Sequence, residues 1–206
     1  MTSKFLYGLG GHAKVVIEAI RSNGGEVLGA YDDAEVRGDL LGVNFLGKFK
    51  ASQKPHQQLL ISIGDNRIRF MKVNEIEANF FNAVHSKAIL SPEITTGKGN
   101  VILANTIINC NANIGNHCII NTSAVIEHDC VIKDFAHISP NATLCGNVKI
   151  GEGTQVGAGA VILPNLNIGK WVTVGAGAVV IADIPDYAIV VGNPAKIIKY
   201  NTILNE

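Results

Sequence analysis

The chain has 206 residues, 47% of them apolar and 6% aromatic, and its 17 basic and 17 acidic side chains give a formal charge of zero. Nucleic-acid binding requires clustered Lys and Arg that displace counterions from phosphates, so this balance argues against a nucleic-acid partner. No segment approaches the roughly 20 apolar residues that cross a bilayer, and no secretion signal opens the sequence, so we expect a cytoplasmic protein without a membrane span.

The first part of the chain alternates strand and helix signals. Apolar residues at helical spacing follow a Gly-rich turn, LGGH, and short apolar runs on either side carry the strand signal. This β-α-β order predicts a parallel sheet whose strands end at a common crevice, where nucleotides usually bind. The predicted elements are a strand over 4–8, a helix over 13–24, a strand over 26–31, a strand over 59–64 and a helix over 66–80.

The Gly-rich turn permits two interpretations. Gly8, Gly10 and Ala13 satisfy the G-x-G-x-x-G/A pattern, and Asp32 follows at a position suited to a ribose hydroxyl, as in nicotinamide cofactor binding. However, the segment is long enough for only one half of a dinucleotide fold, which argues against that cofactor. An ordinary Gly-rich connector in an α/β domain is the other interpretation.

A six-residue repeat occupies the second half of the chain. Between Ile114 and Val180 every sixth residue is aliphatic, and the residue four places later is usually small. Six residues rotate an α-helix by about 240°, so a helix does not direct this stripe at one core, whereas a coil of three short strands does. The repeat therefore predicts a triangular prism with roughly eighteen residues in each coil, beginning near residue 90 and containing about five coils.

The sequence gives little support for a metal site. The cysteines are Cys110, Cys118, Cys130 and Cys145. None of them lies in a CxxC pair, so we expect buried thiols rather than zinc ligands. A zinc site built from three histidines of the prism is an alternative, but the spacing of His117, His128 and His137 does not favour one. We expect no metal cofactor.

Five segments along the chain carry a family resemblance. They are GLGGHAKVV (8–16), YDD (31–33), SIGDNRIR (62–69), NTSAVIEHDC (121–130) and VVGNPAK (190–196). In this order, together with the six-residue repeat, they resemble the hexapeptide-repeat sugar O- and N-acyltransferases. The resemblance is closest to the N-acetyltransferases of the UDP-N-acetylbacillosamine pathway and to the related sialic acid O-acetyltransferases, and it spans essentially the whole chain.

The resemblance implies an architecture, a co-substrate and an assembly. An α/β, Rossmann-like half domain over 1–88 would bind a sugar nucleotide. A left-handed parallel β-helix over 89–206, with a C-terminal cap, would bind acetyl-CoA. Such proteins are typically homotrimers with acetyl-CoA in the groove between neighbouring prisms, so we expect the active site between subunits and direct transfer without an acetyl-enzyme.

His128 is the candidate general base. Acetyl transfer from a thioester to a sugar amine requires a group that accepts the amine proton. His128 is expected to project from the prism in the segment EHDC, and Asp129 beside it is suited to orient the imidazole. The resemblance implies these roles for a histidine followed by an acid, and a surface histidine is the alternative. Asn121 is placed near the reacting centre, with an Asn ladder at the coil corners as an equal alternative.

The resemblance also assigns the binding residues. For acetyl-CoA they are His137, Ala158, Ala176 and Lys196. A structural role for His137 and a solvated charge for Lys196 are equally open. For the acceptor they are Gly10, Gly11, His12, Asp32, Asp33, Gly64 and Arg67. Backbone amides at a helix N-terminus hold pyrophosphate, and a carboxylate accepts the imide N–H of uracil, so the assignment is chemically sound.

Together these features predict an acetyl-CoA-dependent sugar N-acetyltransferase of glycan biosynthesis. The expected acceptor is the 4-amino group of UDP-4-amino-4,6-dideoxy-N-acetylglucosamine. Alternatives are O-acetylation of sialic acid and N-acetylation of GDP- or dTDP-linked amino sugars. A sugar-nucleotide-binding scaffold without catalysis is the alternative from a different class.

Overall fold

The N-terminal part of the protein is a small α/β domain. The structure is a computed structural model that describes residues 3–34, 38–50 and 58–201. The elements of this domain are β1 (Lys4–Tyr7), α1 (Gly11–Ser22), β2 (Gly29–Tyr31), β3 (Asp39–Leu40), β4 (Val43–Asn44), β5 (Gln58–Ile61), α2 (Asn66–Glu75) and β6 (Asn79–Phe80). Strands β2, β1, β5 and β6 form one parallel sheet in that order, as expected for half of a doubly wound fold.

Several predicted elements are shorter in the structure, the second helix and the second strand most of all. The second helix ends at Glu75 because Ile76 takes an extended backbone, with φ −114° and ψ 111°. Phe80 then pairs with Leu59 in the sheet, so a tertiary pairing outweighs the local helix signal. The second strand covers only 29–31 of the predicted 26–31, where it pairs with β1.

The second part of the chain is a parallel β-helix with three faces. Face 1 contains β7 (Ala83–Val84), β10 (Val101–Ile102), β13 (Ile119–Ile120), β16 (His137–Ile138), β19 (Gln155–Val156), β22 (Thr173–Val174) and β24 (Ala188–Val191), followed by the antiparallel β25 (Lys196–Tyr200). Face 2 contains β8 (Ile89–Leu90), β11 (Ile107–Ile108), β14 (Val125–Ile126), β17 (Thr143–Leu144), β20 (Val161–Ile162) and β23 (Val179–Val180). Face 3 contains β9 (Thr95–Thr96), β12 (Asn113–Ile114), β15 (Val131–Ile132), β18 (Lys149–Ile150) and β21 (Asn167–Ile168).

The aliphatic stripe forms the core of the prism, as the repeat predicts. Ile120, Ile126 and Leu144, for example, are fully buried in one continuous apolar cluster. The β-helix has about seven coils, so the prediction of about five was wrong. The sequence undercounts because the first coils depart from the pattern: Thr96 takes the register position that Ile114 holds one coil later. The first strand of the β-helix, β7, precedes the proposed domain boundary between residues 88 and 89.

The corners of the prism require a left-handed backbone at one residue in six. His117, Asp129 and Phe135 take this conformation with φ of 54°, 62° and 60°, and Asn or Gly holds most equivalent positions because these residues tolerate it best. Gly151 and Gly157 are not among these residues. A Cβ there would lie 2.4 Å and 2.6 Å from backbone atoms of the next coil, so these glycines permit close stacking of coils.

The α/β domain packs against face 1. Side chains of β1 and α1 share an apolar cluster with Val101, Leu103 and Ile119 of the β-helix. Helix α2 lies along edge 3–1, the edge that joins face 3 to face 1, where Asn66 Nδ2 donates to the Gly153 carbonyl over 3.0 Å. Edge 2–3 joins face 2 to face 3 and lies across the prism from face 1, away from the α/β domain.

Arg69 fixes this arrangement with a fully buried guanidinium group. It donates to the carbonyls of His117 and Phe135 on edge 3–1, both over 2.8 Å. It also donates to the carbonyls of Ile63 and Gly64 and to Asn66 Oδ1, over 3.0, 3.2 and 2.8 Å. The five acceptors, all in the described part of the chain, are neutral oxygens, and none of them is a carboxylate. Burial lowers the pKa of Arg69 to about 10, so the group stays charged at neutral pH.

We expect Arg69→Met to destabilise the protein by about 3 kcal/mol, because several buried carbonyls lose their donor at once. Arg69→Lys should lose less, because an ammonium group retains three donors. The measurement is thermal unfolding of each variant. Arg21→Met is the control, since Arg21 is exposed and its side chain donates, among the described residues, only to the Leu41 carbonyl over 2.8 Å. Its change should stay within about 0.5 kcal/mol. Equal losses for Arg69→Met and Arg21→Met would contradict the role given to Arg69.

Candidate functional site

His128 lies on edge 2–3, in the turn between β14 and β15, with about half of its side chain exposed. Its Nδ1 is 2.8 Å from Asp129 Oδ2. Asn111 Nδ2, one coil earlier, donates to the other oxygen of Asp129 over 3.2 Å. The hydrogen bonds from His128 and Asn111 lower the pKa of Asp129 and keep its carboxylate charged. The pair holds the imidazole by Nδ1 and leaves Nε2 as the nitrogen that can exchange a proton with a ligand.

A second polar group consists of His137 on face 1 and Asn121 on edge 1–2, the edge that joins face 1 to face 2. The backbone N–H of Thr122 donates to Asn121 Oδ1 over 2.8 Å, so the amide nitrogen of Asn121 faces His137 Nε2, 2.9 Å away. His137 is nine-tenths buried. Burial and the charge of Arg69 lower its pKa to about 3, and a hydrogen bond with the Gly64 backbone only partly opposes them. His137 is therefore a neutral imidazole whose Nε2 accepts a hydrogen bond.

The Gly-rich turn brings three predicted acceptor residues next to this second group. Gly10 and Gly11 are exposed at the start of α1, and a Cβ on either would meet open space. His12 follows them, with its ring centre 6.4 Å from that of His137 and its Cβ against Gly64. Burial and the charge of Arg69 lower the pKa of His12 to about 4, and its Nε2 has no hydrogen-bond partner within the described residues. His12 and Gly64 thus lie beside His137, and Gly10 and Gly11 directly precede His12 at the start of α1.

The carboxylates of Asp32 and Asp33 already have partners inside the protein. Asp32 accepts from the backbone N–H groups of Leu9 and Ala34, over 2.7 and 2.9 Å, and so braces the Gly-rich turn. Asp33 is 2.7 Å from Lys72 Nζ, and hydrogen bonds from Lys72 and Tyr7 lower its pKa. A cleft of about 290 Å³ lies beside Asp33. Its lining residues are Tyr7, Asp33, Phe49, Lys72, Glu75, Ile76 and Glu77.

The other predicted binding residues lie apart from this group. Ala158 and Ala176 are exposed one above the other on edge 1–2, the edge that also carries Asn121. Lys196 is exposed at the start of β25. Arg67 lines a different cleft, of about 140 Å³, that also includes Trp171 and Gln155 at edge 3–1. Within one chain, the structure does not bring His128 and Asp129 together with Asn121 and His137.

No group of three or more His, Cys, Asp and Glu side chains in the described ranges is arranged to hold a metal ion. His117 is stacked on Phe135 with an interplanar angle of 9° and packs against Phe80, which is a structural role. Burial raises the pKa of Cys118 to about 12 and that of Cys130 to about 11, so both stay protonated thiols. Among the described residues, no helix has the length and apolar character that crossing a membrane requires.

Comparison with known proteins assigns both parts of the chain. Residues 5–76 match the PglD N-terminal domain, and residues 129–164 and 147–182 match the bacterial transferase hexapeptide of six repeats. A histidine-to-asparagine variant of perosamine N-acetyltransferase from Caulobacter crescentus, crystallised with CoA and GDP-perosamine, is 38% identical over 95% of this chain and 96% of that chain, with a TM-score of 0.89. The chain belongs to the hexapeptide-repeat sugar acyltransferases.

Two further structures have the same architecture along nearly their whole length. The acetyltransferase domain of PglB from Neisseria gonorrhoeae, in complex with acetyl coenzyme A, is 32% identical over 96% of this chain and 99% of that chain, with a TM-score of 0.86. WeeI from Acinetobacter baumannii is 28% identical over 95% and 99% of the two chains, with a TM-score of 0.85. An uncharacterized protein, L142, of Acanthamoeba polyphaga mimivirus is 32% identical over 54% of this chain, which spans only 23% of that relative.

Sequence reasoning about this acyltransferase missed Asn111 and Arg69. The signal for Asn111 was present, because residues eighteen apart stack in adjacent coils and Asn111 precedes Asp129 by that interval. Arg69 gave no such signal, since a charged residue in a predicted helix is usually exposed. Its burial follows from the contact between the two parts of the chain.

We expect the stability of this acyltransferase to fall as the pH drops from about 6.5 to about 4. His117 and His137 have pKa values of about 4 and about 3 in the folded protein, below the usual 6.5, so unfolding takes up protons in this window. Each such histidine lowers the free energy of unfolding by about 1.4 kcal/mol per pH unit. Guanidinium unfolding at a series of pH values measures the slope of the unfolding free energy against pH. His117→Phe should reduce this slope by the contribution of about one proton. A flat profile between pH 6.5 and 4.5 would contradict the expectation.

Proposed function

We propose that the protein transfers the acetyl group of acetyl-CoA to the amino group of a nucleotide-linked amino sugar. The observation that carries the proposal is the His128–Asp129 pair, in which a half-exposed imidazole contacts Asp129 through Nδ1 and leaves Nε2 outside that contact. The chain that carries the pair is related over 95% of its length to a sugar N-acetyltransferase. The neighbours crystallised with CoA or acetyl coenzyme A support acetyl-CoA as the donor. The exposed small residues Ala158 and Ala176 leave room for the donor along edge 1–2, with Lys196 near its phosphates.

In the proposed reaction His128 acts as the general base. The sugar amine attacks the carbonyl carbon of the thioester, and its proton passes to His128 Nε2 as the nitrogen–carbon bond forms. The carbon–sulfur bond then breaks, and the proton passes on to the departing CoA sulfur. Asp129 stabilises the charged imidazole and Asn111 holds Asp129, so this part of the site is aligned before the substrates bind. In the acetyl-CoA half of the site, the neutral His137 and Asn121 position the acetyl group.

The acceptor half of the site is the N-terminus of α1. Gly10 and Gly11 are exposed and carry no side chain at the positive end of α1, which suits a pyrophosphate. His12 lies beside them, with a buried Nε2 that has no hydrogen-bond partner among the described residues. Asp32 shapes this turn from inside, and Asp33, Gly64 and Arg67 are the proposed surroundings of the nucleotide. UDP-4-amino-4,6-dideoxy-N-acetylglucosamine is the proposed acceptor, and GDP-perosamine is the second candidate because the 38% identical neighbour was crystallised with it.

The two halves of the proposed site require more than one copy of the chain. His128 lies on edge 2–3, whereas Asn121 and the alanines lie on edge 1–2, so face 2 separates them. The outward residues of face 2 are Ile89, Ile107, Val125, Thr143, Val161 and Val179. Those of face 3 are Thr95, Asn113, Val131, Lys149 and Asn167. An apolar face between two different functional edges favours a closed ring in which edge 2–3 of one protomer meets edge 1–2 of the next, and a triangular prism suits a homotrimer.

We expect Val125→Glu to break this assembly, because it places a charge in the middle of the apolar row of face 2. Light scattering should show monomers, and turnover should fall with them. Val131→Glu is the matched control, since Val131 holds the equivalent outward position on face 3 of the same coil. A Val125→Glu protein that remains a trimer, or wild-type protein that is a monomer, would contradict the proposed assembly.

We expect His128→Ala to lower kcat by roughly 10²- to 10⁴-fold, the usual contribution of a general base, without changing the melting temperature. The assay follows thiol release from acetyl-CoA with UDP-4-amino-4,6-dideoxy-N-acetylglucosamine, GDP-perosamine and free sialic acid in parallel. His85→Ala is the control, because His85 lies outside the proposed site and its ring accepts from the Lys87 backbone N–H of its own turn over 3.0 Å.

The acceptor panel separates the remaining interpretations. Turnover with a nucleotide amino sugar supports the proposal and names the nucleotide. Turnover with sialic acid alone would replace N-acetylation with O-acetylation. A His128→Ala protein as active as the wild type would refute the general base, and a wild type that binds the sugar nucleotides without turnover would be a scaffold.

A further inference from the structure

Gly146 lies directly against the imidazole of His128. It follows β17 on edge 2–3, one coil after His128, and its carbonyl accepts from the Asn165 backbone over 3.0 Å. A Cβ built on Gly146 would lie 2.7 Å from both Cε1 and Nε2 of the His128 ring. Real Cβ atoms essentially never approach another heavy atom within 3.0 Å, so the ring occupies the space that any side chain at position 146 would need.

The backbone itself does not require glycine at this position. The left-handed residue of this corner is Asn147, with φ 57°, and Gly146 is not among the residues with positive φ. The equivalent positions of neighbouring coils hold Cys110, His128 and Pro164, so this corner position accepts side chains. The hydrogen bonds that join the coils here run through backbone atoms, from Asn147 to the His128 carbonyl over 2.9 Å and from Asn165 to Gly146. The remaining reason for glycine is the space that it leaves for the ring.

We propose that Gly146 is a positioning residue for acetyl transfer, because its missing side chain lets the His128 imidazole lie across the next coil with Nδ1 on Asp129. The inference rests on the proposed role of His128 as the base. Asn111 holds Asp129 from the coil before, and Gly146 provides the flat surface from the coil after, so three consecutive coils fix one imidazole. A methyl group at position 146 pushes the ring away and separates Nδ1 from Oδ2.

The same geometry separates this role from a structural one. The atoms that a new Cβ meets belong to the end of a flexible side chain that is 56% exposed. The ring is therefore free to rotate into solvent without disturbing the core. By contrast, a Cβ on Gly151, in the next repeat, meets backbone atoms at 2.4 Å, where the coil itself would have to shift.

The test is Gly146→Ala, assayed beside wild type with the acceptor that turns over fastest. We expect kcat to fall about 10- to 100-fold, the usual effect of misplacing a catalytic group by about 1 Å, with both KM values and the melting temperature unchanged. Pro164→Ala is the control, because it changes a side chain at the equivalent position one coil further along the same edge. A crystal structure of Gly146→Ala should show the imidazole turned away from Asp129.

Three comparisons decide the outcome. If His128→Ala is inactive and Gly146→Ala is as active as wild type, the inference about Gly146 is wrong and the proposed base stands. If His128→Ala retains full turnover, the proposed base fails and the inference fails with it. In the Asp129→Ala background, where the ring has already lost its alignment, Gly146→Ala should cost less than about 3-fold. Independent, multiplying losses in the double variant would also overturn the inference.

Discussion

The arrangement of the site depends on one buried cation. The guanidinium of Arg69 donates hydrogen bonds to carbonyls of the β5–α2 turn and to carbonyls at two successive corners of the β-helix. One set of hydrogen bonds therefore joins the two parts of the chain. Gly64, whose carbonyl is among these acceptors, also faces His12 and His137. The acceptors of Arg69 in the described ranges are all neutral, so its charge acts on the surrounding histidines and helps to keep His12, His117 and His137 uncharged.

The six-residue phase made the prism predictable from sequence, because burial acts on every sixth residue in the same way. The phase does not mark the ends of the β-helix, where Thr96 stands in the register of Ile114 and the repeat fades. The predicted end of the second helix was too late for a related reason. Residues after Glu75 carry a local helix signal, but the pairing of Phe80 with Leu59 completes the sheet, and such long-range pairings are invisible to a local pattern.

The candidate site was predictable where its residues are neighbours in sequence or eighteen residues apart. Adjacency suggested the contact between His128 and Asp129, and the coil register contained the position of Asn111. The sequence did not predict that Asp32 would brace the Gly-rich turn or that Asp33 would pair with Lys72, because both partners come from other elements. It also could not separate the reasons for its glycines, since Gly153 has a positive φ while Gly146 leaves space for a ring.

The geometry of a prism explains why the chemistry is divided between edges. A triangular coil has no concave surface of its own, so a single chain offers only shallow places for a ligand as long as acetyl-CoA. One chain covers face 1 with its α/β domain, which leaves faces 2 and 3 uncovered. The apolar face 2 lies between edges 1–2 and 2–3. In the proposed trimer, burying that face brings unlike edges together and creates the groove by the same step that stabilises the assembly. The base, the donor strip and the acceptor loop then do not need to meet within one chain, and each folds on the element that holds it most rigidly.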